Sequence, residues 1–189
     1  MATPLIQHST AVEQWRRLVI DGESACSLSL GEDLESYLVF MLMRFANSPE
    51  VAVSILAMDF LESLHTMGKK RHEQLRDVGD KCLLFSGLFP GRAERRHVKI
   101  SYYVELGQNA YGVLSGLSKK NAAHLFQSLC HHFVALMDVM HAMRELSSNV
   151  PNILPLQAIE LWEDTGSRHA LQVLKYYSKS TPIKGGATH

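Results

Sequence analysis

From Leu125 to Met143, apolar side chains recur every three or four residues, at Leu125, Leu129, Phe133, Leu136, Met140 and Met143. That interval matches the 3.6-residue turn of an α-helix and not the two-residue alternation of a half-buried strand. The same period governs most of the chain. Thr10 is placed to cap a helix running to about Ile20, with Trp15 and Leu18 as anchors, and DGESACSLSLG reads as a linker. Glu32 to Ala46 is apolar nearly all round: Leu34, Leu38, Met41, Leu42 and Phe45 share one face, while Phe40 and Met43 take the other, so a central position is expected. Ser48-Pro49 opens a third helix to about Met67, along Val53, Leu56, Ala57, Phe60 and Leu64. A fourth follows Gly68 along Leu75, Val78, Cys82, Phe85 and Phe89, with Arg76, Asp77 and Asp80 off that stripe, until Pro90 and Gly91 stop it.

The connector GRAERRHVK reads as a solvated loop, and Ser101 as the cap of a fifth helix along Tyr103, Leu106, Gly107, Ala110, Tyr111 and Leu114. Gly107, Gly112 and Gly116 on that helix suggest close approach by a neighbouring backbone. The longest helix is predicted over Asn121 to Leu146, followed by a short pair, LQAIELWED and SRHALQVLKYY, joined at Thr165-Gly166 and capped by Ser167. Beyond the short VKISYYV nothing alternates over a strand length, which makes the chain all-α: an antiparallel bundle of about five to seven helices. One helical domain is expected over residues 1–178, with a flexible tail over 179–189.

At 189 residues a single core can bury roughly 70% of the unfolded surface. Equal numbers of acidic and basic residues, 19 of each, give no net charge and argue against a nucleic-acid partner. The longest apolar runs, YLVFMLMRF and CLLFSGLF, are too short to cross a bilayer, and the N-terminus lacks a basic-then-apolar signal. A cytoplasmic protein without a membrane partner is expected. Cys26, Cys82 and Cys130 are dispersed, outside any Cys-x-x-Cys pair, and read as reduced thiols.

Candidate chemistry is sparse. Glu35, the pair Glu62/His65, Glu105 and the pair Asp138/His141 fall in the order used by carboxylate-bridged di-iron bundles. At 100° per residue, however, Asp138 and Glu105 lie opposite the apolar stripes of their helices and are expected to face water, so no metal and no other cofactor is assigned. Glu62 and His65 continue a second apolar face through Val51, Ile55 and Met58 and read as a partly buried pair. Tyr103 and Tyr111, two turns apart, could line a small ligand cavity with LLFSGLF, although a packed core is the stronger reading. Cys130 cannot pair with His131 or His132, since neighbours on a helix diverge by 100°. Two basic clusters, containing Arg71 in one and Arg92, Arg95, Arg96 and Lys99 in the other, flank the fourth helix and could join into one phosphate-binding patch.

Three blocks, LRDVGDKCLLFSGLFPG, ISYYVELGQNAYGVLS and IELWEDTGSRHALQVL, together about two fifths of the chain, resemble a group of uncharacterised bacterial proteins of similar length. In that group a Gly-Phe-Phe-Pro-like segment precedes a Tyr-Tyr helix, and a Trp-x-x-Thr-Gly-Ser turn lies near the end. The resemblance implies a bacterial, soluble, helical protein and carries over no functional residue. The leading functional expectation is a non-catalytic interaction or regulatory protein acting as a homodimer, with room for a protein partner. The alternatives are a metal- or small-molecule-dependent enzyme around Glu62, His65 and Tyr103, and phosphate or nucleic-acid binding by the basic helix ends.

Overall fold

The computed structural model describes residues 10–47, 56–148 and 150–180. They form ten helices and no strand: α1 Ala11–Cys26, α2 Glu32–Ala46, α3 Leu56–His65, α4 Gly68–Gly87, α5 Gly91–Arg95, α6 Ile100–Leu117, α7 Lys120–His131, α8 Phe133–Glu145, α9 Pro155–Thr165 and α10 Arg168–Ser180. The all-α expectation holds, while the chain divides more finely than into five to seven segments. The Pro49 start of the third helix, Val51, Val53 and Ile55 lie outside the described residues, as does most of the predicted tail.

α1 begins on a reciprocal capping box. Glu13 N–H donates to Thr10 Oγ1 at 3.3 Å, and Thr10 N–H donates to Glu13 Oε2 at 2.8 Å. The helix does not stop near Ile20 but continues to Cys26 and ends on Ser27 in the left-handed region, φ 54°. Gly22, within the segment read as a linker, is instead a crossing point: a Cβ there would lie 2.5 Å from Met143 Cγ and 2.9 Å from the Val139 carbonyl oxygen on α8. α2 keeps its expected bounds, with Glu32, Asp33 and Glu35 at the positive end of its dipole and Arg44 at the negative end. Leu38, Met41 and Leu42 are buried in one contiguous core, each contributing about 1.5–3 kcal/mol of apolar burial. Phe40, however, is 59% exposed, so α2 is covered on one side only.

α4 is the element most enclosed by its neighbours. From Cys82 to Gly87 every residue is buried, because α6 lies along one side while α3 and α8 cover others. Phe89, placed on the α4 stripe by its spacing, falls beyond the helix and is half exposed. The connector after Pro90 is not simply a loop: α5 forms within it, and Ala93 is buried. α6 starts one residue before Ser101, with Lys99 at its cap position, and the Ser101 hydroxyl donates instead to Asp164 Oδ2 of α9 at 2.7 Å. Gly107 of α6 is a close approach, where a Cβ would meet Phe133 Cε2 at 2.4 Å and Cys82 Cβ at 2.9 Å. Gly112 and Gly116 have no such neighbour, so their presence has no packing reason.

The predicted longest helix is interrupted at His132, φ −97° and ψ 13°, which separates α7 from α8. α8 is then buried over nearly its whole length by α1, α4 and α10. The final pair forms as expected. Gly166, φ 70°, ends α9 with its N–H on the Trp162 carbonyl at 2.8 Å, and Ser167 Oγ accepts from Ala170 N–H at 3.0 Å to cap α10. No described helix is long and apolar enough to cross a membrane.

Candidate functional site

Three polar centres are built on this framework. The first is Asp80, which lies off the apolar stripe of α4 and is nevertheless fully buried. The side of α4 opposite its main apolar stripe is covered by α2 and α6, so leaving the stripe does not bring a residue to water. Asp80 Oδ1 accepts from the hydroxyls of Tyr37 on α2 and Tyr111 on α6, each at 2.6 Å. Oδ2 accepts from Arg44 Nη2 at 2.6 Å and has Arg76 Nε at 3.6 Å. Gly79 makes this possible, since a Cβ there would lie 2.5 Å from Tyr111 Cε1. Phe126 stacks on Tyr111 at 6.3 Å, and Tyr37 stands edge-on to both rings. Burial pushes the Asp80 carboxyl up, against the pull of Arg44 and the two hydroxyls, and burial followed by the Asp80 charge pushes both tyrosines up. With charge-assisted donors on both oxygens, Asp80 is a tie between three helices.

The second centre corrects the reading of Asp138 as water-facing. Its side chain is 1% exposed, because the face of α8 opposite the apolar stripe receives the N-terminus of α10. Ser167 Oγ donates to Oδ1 at 2.5 Å, and the Arg168 and His169 N–H groups donate to Oδ2 at 2.9 and 3.3 Å. A carboxylate at a helix N-terminus is favoured by the free N–H groups and by the dipole. One turn on, His141 stacks parallel to His169 with ring centroids 5.2 Å apart. His169 Nε2–H donates to Glu145 Oε1 at 3.2 Å, and that oxygen also accepts from Asn152 N–H at 2.6 Å. His141 is fully buried with no hydrogen-bond partner on either ring nitrogen, and burial, helped by His169 and Arg144, pushes its pKa down to about 3.

The third centre is a pocket of about 180 Å³ where α3, α4, α5 and α6 converge, lined by Leu56, Ala57, Phe85, Arg92, Arg96, Val98, Tyr102 and Tyr103. The Arg92 guanidinium lies 4.1 Å above the Phe85 ring. Burial and the neighbouring Arg96 and Arg95 push Arg92 below its ordinary range.

The residues singled out from sequence are dispersed among these centres. Tyr103 enters the third and Tyr111 the first, so the two tyrosines do not share a cavity. Glu62 and His65 are exposed on the outer side of α3; Ser63 is the buried member, and Glu62 has only a 3.5 Å contact from Gln74. The α3 helix rests chiefly on α4, and Glu62 lies at the exposed margin of that contact, beside Gln74 of α4. Glu105 is exposed, as its position opposite Tyr103 required. Among the described residues no group of three or more His, Cys, Asp or Glu is placed to hold a metal ion. Arg71 begins α4, whereas Arg92, Arg95 and Arg96 follow its end. The run from Arg71 to Gly87 spans about 24 Å of helix, so the two basic clusters do not form one patch. Lys99 pairs with Asp164 at 3.3 Å, and Arg95 does not line the pocket.

One signal for the first centre was present in the sequence: Tyr37 and Arg44 are seven residues apart, two turns, on a helix that is otherwise strongly apolar. A polar pair on one face of such a helix calls for a buried partner. The chain matches no protein-family model, no curated protein and no solved structure.

Proposed function

We propose that the protein is a non-catalytic helical module that acts through its surface and pairs with a second copy of itself through α3. The observation that carries this reading is the outer face of α3, where Met58, Leu61 and Leu64 are 61%, 51% and 38% exposed, continued by Met67 just before α4 at 88%. A contiguous apolar face of this kind marks an interaction surface more often than a solvated one. A second copy suits it on two grounds. Glu62 and His65 lie on the same side of the helix, so a twofold arrangement can set the acid of one copy against the base of the other. A net charge of zero also leaves no long-range repulsion between copies.

The interior favours the same reading, because Asp80 and Asp138 are both occupied by donors that hold helices together. The enzyme reading around Glu62, His65 and Tyr103 has less support, since neither Glu62 nor His65 lines the pocket beside Tyr103. In this reading the chain is a cytosolic bacterial protein arranged as an antiparallel bundle. The three cysteines, free in the structure, suit a reducing compartment. Sedimentation equilibrium tests the proposal: a dimer is expected at micromolar concentration, and Leu61→Asp should give a monomer with unchanged helicity. A wild-type chain that stays monomeric at roughly 100 μM, a generous concentration for any specific dimer, overturns it.

A further inference from the structure

The contact between α8 and α10 carries a property separate from self-association through α3. We propose that α10 is a latch on α8 that acid releases, with the buried stack of His141 and His169 as its sensor.

The latch is held largely by polar contacts. The buried apolar side chains of α10 are Ala170 and Val173, with Leu174 and Tyr177 partly covered. The rest of its attachment is the Asp138 carboxylate, which accepts from Ser167 Oγ and from the Arg168 and His169 N–H groups, and the bond from His169 Nε2 to Glu145 Oε1 at 3.2 Å. Gly166, φ 70°, is the joint to α9, and α9 is tied separately to α6 by Ser101 and Lys99 on Asp164. A terminal helix attached in this way opens at lower cost than the fold as a whole.

His141 makes the latch sensitive to acid. Its ring is 0% exposed and lies parallel to His169, with centroids 5.2 Å apart and neither nitrogen hydrogen-bonded. A neutral imidazole tolerates that position, whereas an imidazolium brings a charge and two N–H donors that need partners. The surrounding groups supply none. On α8, Asp138 uses both oxygens on the start of α10, and Glu145 Oε1 accepts from His169 and from Asn152 N–H. From α1, which crosses α8 at Gly22, the nearest acid in sequence is Glu23, and it accepts from Leu30 N–H at 2.6 Å. From α4, Gly87 and Leu88 reach this end of α8, and neither titrates. The groups that act on the charge of His141 are His169 and Arg144, and both oppose it.

Undocking α10 uncovers the ring, so the open form takes up a proton that the docked form refuses. With the docked pKa pushed down to about 3 from 6.5, docking has its full strength above about pH 6.5 and weakens as the pH falls toward 3. The opening constant should rise roughly tenfold between pH 7.5 and pH 5.5. Asp138, raised by burial, works in the other direction, because a proton on it favours the docked form.

Native-state hydrogen exchange of the full chain tests the latch, read residue by residue by NMR at pH 7.5 and 5.5 and corrected for the intrinsic pH dependence of exchange. Amides of residues 171–175 should open more often than those of residues 82–87 in α4, with little response to low urea, and their opening constant should rise roughly tenfold at the lower pH. In His141→Leu and His141→Met, two apolar replacements of similar size, α10 should open to the same extent at both pH values. The proposal is overturned if α10 exchanges only together with the whole fold, if its opening constant in the wild-type chain is the same at both pH values, or if the rise survives in either variant.

Discussion

Replacing His141 by leucine should remove an acid-sensitive part of the protein's stability. In the folded chain His141 is fully buried, lacks a partner for either ring nitrogen, and has a pKa pushed down to about 3 from an ordinary value of 6.5. The charged groups around it are Asp138, Arg144 and Glu145 on its own helix, and it stacks on His169 of α10. Between those two pKa values the unfolded chain binds a proton that the folded chain refuses. Stability is therefore full above about pH 6.5, declines as pH falls, and levels off below about pH 3. The loss is on the order of 1 to 2 kcal/mol at pH 5.5 and roughly 3 kcal/mol at pH 4.5. Asp80, Asp138 and Glu23, all raised by burial, contribute with the opposite sign, but they are common to both proteins. Urea unfolding followed by far-ultraviolet circular dichroism at pH 7.5, 6.5 and 5.5 measures the difference directly. At pH 7.5 the His141→Leu protein should be no less stable than wild type, since leucine is close in volume and removes two unpartnered polar atoms. Its advantage should then grow by the amounts given above as the pH is lowered. Equal displacement of the two proteins across that range would mean that the imidazole is solvated or already charged, and the account of this centre would be wrong.

Two further outcomes test other parts of the fold. Asp80→Ala strands the Tyr37 and Tyr111 hydroxyls and the Arg44 guanidinium, and should cost about 3–5 kcal/mol in urea unfolding at pH 7, whereas Tyr111→Phe, which removes one donor, should cost about 1 kcal/mol. Ser27→Gly relieves a left-handed backbone at the end of α1 and should raise stability by roughly 1 kcal/mol, seen as a higher melting temperature.

The helices were legible in the sequence because periodicity and caps are local. Thr10, Gly166 and Ser167 do what their positions indicate, and α2 begins and ends where the apolar run does. What was not legible is which elements surround a given helix. The rule that a residue opposite an apolar stripe faces water is sound for a surface helix. It located Glu105 correctly, misplaced Asp138 and would misplace Asp80, because α4 and α8 are covered on more than one side. The linker reading of the segment around Gly22 failed for a related reason: a glycine needed for a helix crossing and a glycine in a linker look alike until the partner, Met143, is known. The third centre was half visible. The sequence supplies Arg92, Arg96 and Tyr103 within twelve residues, but not the fact that Leu56, Ala57 and Phe85 complete a pocket around them.

The buried aspartates also explain how so evenly apolar a set of helices can settle on one arrangement. Apolar burial rewards contact without fixing the rotation of each helix, whereas hydrogen bonds to a desolvated carboxylate are directional, so Asp80 sets α2 and α6 against α4, and Asp138 sets α10 against α8.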